Sequence, residues 1–386
     1  MTYYLLPKNL NKNLINNIDL SYEEQKLCIN PSLSNYLNNI KQNIDNYKDN
    51  WDNMKKITNP YEYIHTIHPG YHCSVSILKP LSRSFYKLIE IINMFNLFKN
   101  TKENFKSFHI AEGPGGFVEA MVKSRNNIND EYHAMTLESD DNTVPGWKKS
   151  ENFIKENKNV IIERGKTENG DLFKYENFEY FLKYKHTFDF ITADGGFDFS
   201  IDYNEQEKMA SKLILIEILY GLMLQKINGN MVIKVYDIYQ NLTLDFLYLL
   251  TNYYDKVYVY KPFTSRYANS EKYIVCRNLY KKIDEKIIEK FKKIIKDDNL
   301  NSVTRILNID IPLYFILSIQ TLNSMFGELQ LDNINLTLSL LENFKGKKEK
   351  IECLKKNNIN KCIQWCENNK IPYNKKISTK NIFLEN

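Results

Sequence analysis

Two lysines and two carboxylates fall in four separate segments: Lys87 in SRSFYKLIEI (82–91), Asp194 in FDFITADGG (188–196), Lys234 in GNMVIKVYD (229–237) and Glu271 in KPFTSRYANSEKYIVC (261–276). Lys234 interrupts an apolar strand, where an ammonium taken out of water is costly unless it is paired or used. Acids and ammonium groups held close together shift one another's pKa, as proton transfer from a weakly acidic group requires. Taken singly, the others have plainer readings. Lys87 fits the solvated edge of a helix, Asp194 a strand-end turn and Glu271 a strand face. The run Glu112-Gly113-Pro114-Gly115-Gly116-Phe117 follows one apolar strand and opens a helix. Glycines let the backbone approach a ligand closely, and the free N–H groups of a helix start can meet it. The pattern is neither the dinucleotide G-x-G-x-x-G nor a P-loop, since the P-loop lysine is missing.

These residues need elements to position them. From about residue 108 the chain alternates: FHIAE (108–112), helix FVEAMVKSR (117–125), then YHAMTLES (132–139), VIIE (160–163), FDFITAD (188–194) and MVIKVYD (231–237) as buried strands. LILIEILYGLML (213–224) is the crossover helix before the last of these, and KVYVYKP (256–262) with KYIVCRN (272–278) reads as a closing pair. Alternation of this kind predicts a doubly wound, mostly parallel α/β sheet. Before it, LSRSFYKLIEIINMFNLF places Phe85, Leu88, Ile89, Ile92 and Phe95 on one helical face, with Ser82 a candidate N-cap. Residues 1–80 are polar, Asn-rich and broken by Pro7, Pro31, Pro60 and Pro69, and are read as helices separated by turns. Beyond 280 the strand signal stops and helices are expected to the end. The chain is therefore divided into a helical N-terminal extension (1–80), the α/β domain (81–280) and a helical C-terminal extension (281–386).

The 386 residues carry a formal net charge of +5, which permits a nucleic-acid partner without requiring one. The wealth of Asn, Lys, Ile and Tyr is read first as the codon bias of an AT-rich genome, and secondarily as tyrosines available for base stacking. The cysteines Cys28, Cys73, Cys276, Cys353, Cys362 and Cys366 are scattered, and MTYYLLPKNL has no signal-peptide core. An intracellular, reducing compartment without disulfides is expected. No apolar run approaches the about 18 residues that span a membrane. His65, His68, His72 and Cys73 cluster, but their spacing matches no zinc pattern and no metal is expected. Cys362 and Cys366, at i and i+4, are read as packing residues.

In residue type, order and local context, Lys87, Asp194, Lys234 and Glu271 together with AEGPGGF resemble the FtsJ-like ribose 2'-O-methyltransferases, over roughly residues 65–280. The resemblance implies a Rossmann-like class I methyltransferase fold, a mostly parallel seven-stranded sheet with an antiparallel edge. It implies S-adenosyl-L-methionine as cofactor and the four residues as a catalytic tetrad. Lys234 would take the proton of the ribose hydroxyl. Lys87 and the cofactor's positive charge would lower its pKa and Asp194 would raise it. Asp194 would also orient it, while Lys87 and Glu271 hold the hydroxyl in register.

The same resemblance assigns the cofactor to the 112–117 loop, to Glu138 for the ribose, to Asp171 and Leu172 for the adenine, and to Asp194. Glu138 and Asp171 have the plainer readings of a solvated carboxylate and a loop aspartate. Lys79, Arg83, Lys261, Arg266 and Tyr267 flank the first and last tetrad members and are candidate RNA contacts, ordinary solvated charge being the other reading. HPGYHCSVSILKPLSRSFYKLIEI followed by AEGPGGFVEA is more similar to the cap-specific mRNA branch than to the bacterial ribosomal-RNA branch. The expected substrate is capped mRNA, with ribosomal or transfer RNA, or a catalytically silent RNA-binding scaffold, as alternatives. A capping-enzyme or polymerase subunit is a candidate partner of the C-terminal helices. The tail NKCIQWCENNKIPYN resembles tails on FtsJ-like proteins of large DNA viruses.

Overall fold

The computed structural model describes residues 3–11, 14–23, 29–98, 103–141, 144–196 and 204–377. Ten strands are seen among them: β1 (Tyr3–Leu5), β2 (Ile18–Ser21), β3 (Lys106–Ile110), β4 (Glu131–Ala134), β5 (Val160–Ile162), β6 (Phe188–Ala193), β7 (Gln225–Val235), β8 (Tyr254–Tyr260), β9 (Lys272–Leu279) and β10 (Arg305–Leu307). The helices are α1 (Pro31–Gln42), α2 (Lys48–Thr58), α3 (Ser84–Phe95), α4 (Gly116–Arg125), α5 (Glu151–Glu156), α6 (Tyr175–Phe181), α7 (Gln206–Leu224), α8 (Asn241–Tyr253), α9 (Glu285–Ile295), α10 (Leu313–Glu342) and α11 (Lys348–Asn368).

The main sheet has the order β1-β8-β9-β7-β6-β3-β4-β5. Strands β3 to β7 are parallel, and β9 runs antiparallel between β7 and β8. This is the expected doubly wound sheet with an antiparallel insertion at one side. Its central strands are near-continuous apolar runs because helices cover both faces. On one face Phe178, Phe181, Leu222 and Phe246 pack with Phe108 and Ile233, and on the other Phe85, Ile92, Phe117 and Met121 pack with Phe190 and Val232. Helix α7 is apolar nearly all round, as a helix enclosed in a core must be.

The sheet has eight strands, not seven. The extra one is β1, whose Tyr3, Tyr4 and Leu5 pair with Tyr260, Val259 and Tyr258. Three residues carry too short a pattern to announce a strand, and their partner lies at the far end of the sheet sequence. Nor does strand structure end at 280: β10 pairs antiparallel with β2, tying the two flanks together. Asp245 of α8 fixes that junction, accepting from Arg305 and from the amides of Ile306 and Leu307. At the other end, the indole of Trp365 on α11 donates to Glu90 of α3 at 3.0 Å. Residues before 81 and after 280 thus pack onto the strands and helices between them through side chains of both.

No helix among the described residues is long and apolar enough to cross a membrane. Cys73, Cys276, Cys353, Cys362 and Cys366 are free thiols, and Cys28 lies outside the described residues.

Candidate active site

Strands β6 and β7 are adjacent and parallel, so Asp194, the residue after β6, and Lys234, near the end of β7, emerge together at the carboxyl edge. The ammonium of Lys234 donates to the carbonyl oxygen of Asp194 at 2.7 Å and lies 3.3 Å from its carboxylate. Across the β7–β9 pairing, Lys234 stands opposite Tyr273, whose hydroxyl donates to the same carboxylate at 2.8 Å. Glu271 is the residue before β9, two positions ahead of Tyr273. It meets Lys87, carried in by α3, at 2.7 and 2.8 Å. The four residues form two ion pairs at one edge of the sheet.

Charge decides how these groups titrate. Burial pushes Glu271 up, but the ammonium groups of Lys87 and Lys234, with hydrogen bonds from Lys87 and Ser265, hold it well below the carboxylate range. For Lys234 burial works against the charged form, yet Asp194, Tyr236, Glu271 and Glu217 outweigh it and raise its pKa above the usual lysine value. Burial lowers Lys87, with Glu271 and Asp194 opposing. In the protein alone, the neighbouring acidic groups, Asp194 first, therefore prevail over burial at Lys234.

The glycine loop lies between β3 and α4. Gly115 has φ 106°, in the left-handed region, and a Cβ on Gly113 would fall 2.0 Å from the carbonyl oxygen of Pro145. Neither position tolerates a side chain without a backbone shift. Glu112 accepts from the amides of Phe117 and Val118 at 2.6 and 2.9 Å through Oε1. Its Oε2 is buried with no hydrogen-bond partner among the described residues, and burial raises its pKa well above the usual value. An orphaned carboxyl oxygen beside a glycine cradle and a helix start fits the methionine end of S-adenosylmethionine, whose ammonium is a donor.

Glu138, beyond β4, is ion-paired with Arg164 at 2.9 Å and lines a cavity of about 880 Å³ with Trp147, Lys148 and Ile162. Gly170 and the amide of Asp171 sit on the same edge, where Asp171 accepts from Phe173 and Leu172 is buried.

The five candidate RNA contacts separate. Lys79 is exposed ahead of α3 and Tyr267 is half-buried. Arg83 and Arg266 are partly exposed, and both face the buried carboxylate of Glu62. Lys261 stands apart from the expectation. It is 2 % exposed and donates to the carbonyl oxygens of Asn269 and Glu271, at 2.5 and 2.9 Å, so it shapes the loop carrying Glu271 instead of meeting solvent.

Tyr273, Ser265, Glu62 and Glu217 were not singled out by sequence reasoning. Tyr273 could have been found from its spacing of two after Glu271. Ser265 donates to Glu271. Glu217 of α7 lies against the backbone of Gly195, and burial pushes its pKa to about 8.

The FtsJ-like methyltransferase family model matches residues 80–279. Over 221 residues the chain is 30% identical to cap-specific mRNA (nucleoside-2'-O-)-methyltransferase 1 of Mus musculus, covering 54% of this chain and 25% of that protein. Over 236 residues it is 30% identical to the cap-specific mRNA (nucleoside-2'-O-)-methyltransferase of Autographa californica nuclear polyhedrosis virus, covering 59% of this chain and 86% of that one. The chain thus spans about a quarter of the mammalian relative's length and most of the viral one's. With strands β3 to β9, the glycine loop and both ion pairs inside the matched segment, the chain belongs to the FtsJ-like methyltransferase family.

Proposed function

We propose that this protein transfers a methyl group from S-adenosylmethionine to a ribose 2'-OH of RNA, its substrate being the first transcribed nucleotides of capped mRNA. The observation that carries the reading is the meeting of two Lys–carboxylate pairs, Lys234–Asp194 and Lys87–Glu271, at the carboxyl edge of the sheet. The cap-specific mRNA methyltransferases to which the chain is similar support the cap-specific substrate.

The cofactor would bring an electrophilic methyl group. Glu112, the 113–117 backbone, Glu138, Asp171, Leu172 and Asp194 would hold it. Binding both reactants in one cleft turns the transfer into an effectively unimolecular step. The proton of the hydroxyl goes to Nζ of Lys234, which must be neutral to accept it. Asp194 works against that neutrality and then stabilises the ammonium that forms, while Tyr273 keeps Asp194 in place. A positive charge arriving beside Lys234 pushes its pKa down again. Glu271, held ionised, accepts from Lys87 and Ser265 and fixes the side of the cleft that receives the ribose. Lys79 and Tyr267 flank that side and would contact RNA, whereas the guanidinium groups of Arg83 and Arg266 are turned to Glu62.

The test is transfer of labelled methyl to short capped and uncapped RNAs, with Lys234→Ala beside the wild type. Transfer to capped RNA alone, lost in the variant, supports the proposal. Equal transfer to both RNAs would move the substrate to another RNA class. Cofactor binding without transfer to any RNA would favour a silent scaffold.

A further inference from the structure

Glu62 belongs to the N-terminal flank, outside the family-matched segment, and is fully buried. It accepts from Arg266 at Nε and Nη2, at 3.0 and 2.6 Å, in a two-point fork. Asn59 and Thr66 donate to it at 2.8 and 3.0 Å, and Nη1 of Arg83 lies 3.9 Å away. One carboxylate therefore faces two guanidinium groups. Burial pushes its pKa up, but Arg266 and Arg83 hold it far below the usual range. His65, 3.8 Å from the same carboxylate, is lowered to about 3 by burial and then by Arg83, so it adds no charge at neutral pH.

Both arginines are tethered to the tetrad. Arg83 is the residue before α3, four positions ahead of Lys87, and its Nη2 donates to the carbonyl oxygen of Thr264 at 2.9 Å. Arg266 directly follows Ser265, whose hydroxyl donates to Glu271. A second carboxylate, Glu90, grips the other end of this loop through the amides of Phe263 and Thr264, at 2.6 and 3.2 Å. Glu90 fixes the loop's backbone before Ser265, and Glu62 fixes the side chain after it.

We propose that Glu62 is a positioning residue for the transfer. By gripping Arg266 and facing Arg83, it clamps residues 262–267 onto the start of α3 and so seats the Ser265 hydroxyl on Glu271. This rests on the reading of the site as a ribose 2'-O-methyltransferase. The N-terminal flank then supplies a part that the matched segment lacks.

The experiment is steady-state methyl transfer to capped RNA by the full chain, comparing Glu62→Gln, Ser265→Ala and the double variant, with cofactor affinity measured separately. Glu62→Gln is expected to lower kcat about tenfold or more, with the KM for RNA and the cofactor Kd within about threefold of wild type. The double variant should be no worse than the poorer single one, because both remove the same link. If Glu62→Gln does not fold, Arg266→Lys replaces it in the cycle, since lysine keeps the charge but not the fork. Losses that multiply in the double variant, or a Glu62→Gln variant with unchanged kcat, would overturn the proposal while leaving the function reading intact. A wild-type chain that methylates no RNA overturns both.

Discussion

The ammonium of Lys87, carried by α3, bridges both carboxylate oxygens of Glu271, the residue before β9, at 2.7 and 2.8 Å. The two residues are 184 positions apart in sequence and nearly out of contact with water. Leaving one member of such a pair without the other costs about 3–5 kcal/mol, whereas replacing both by apolar groups is often neutral. Lys87→Met alone should therefore lower Tm and abolish transfer. The Lys87→Met/Glu271→Leu pair should recover most of the Tm and none of the activity. Thermal unfolding run beside a methyl-transfer assay checks this, and a double variant as unstable as the single one would argue against it.

Lys234 is held above the ordinary lysine pKa by Asp194, so the neutral form is scarce at neutral pH. With neutral Lys234 as the base, kcat should rise about tenfold per pH unit from pH 6 to 9, since each unit raises the neutral fraction tenfold. Lys234→Ala should lower kcat about 10²–10⁴-fold and remove that slope, with cofactor affinity retained. A flat wild-type profile over this range would mean that the proton leaves the hydroxyl by another route.

Glu217 gives a stability prediction with a definite sign. Burial raises its pKa to about 8 in the folded chain, against 4.5 in the exposed state. The folded protein therefore binds the proton more tightly. The resulting stability is fully present below pH 4.5 and is lost as pH rises through 8. At about 1.4 kcal/mol per unit, the loss attributable to this one group is a few kcal/mol. Glu217→Gln should remove that dependence, so that chemical denaturation at pH 5 and pH 8.5 differs less for the variant than for wild type. Equal pH dependence in the two proteins would rule out the assignment.

Trp365 joins the C-terminal flank to the loop that carries Ser265. Its ring is buried and its N–H reaches Glu90, which also accepts from Tyr260, Phe263 and Thr264. Trp365→Phe keeps most of the packing and loses one hydrogen bond to a buried carboxyl group, a cost of about 1–3 kcal/mol. Trp365→Ala adds a cavity and should cost about 3–5 kcal/mol. Urea denaturation of both variants would show whether the alanine change is the larger.

The strand–helix alternation, the glycine loop and the types and order of the tetrad residues were legible in the sequence. Each depends on local features: period, turn chemistry, or a charge where apolar residues belong. Lys234 announced itself because a lysine inside MVIKVYD has no local explanation. The three residues of β1, the β2–β10 pairing and the burial of Lys261 were not legible, because each depends on partners far away in the chain. Arg83 and Arg266 looked like solvent-facing phosphate contacts for the same reason. That Glu62, some 200 positions from Arg266, holds both is visible only once the flank is folded against α3. Sequence by itself determined which groups could carry the chemistry. Tertiary structure decided which charge each one faces, and hence how it titrates, because electrostatic coupling depends on distance in space and burial, neither of which is written in the order of residues.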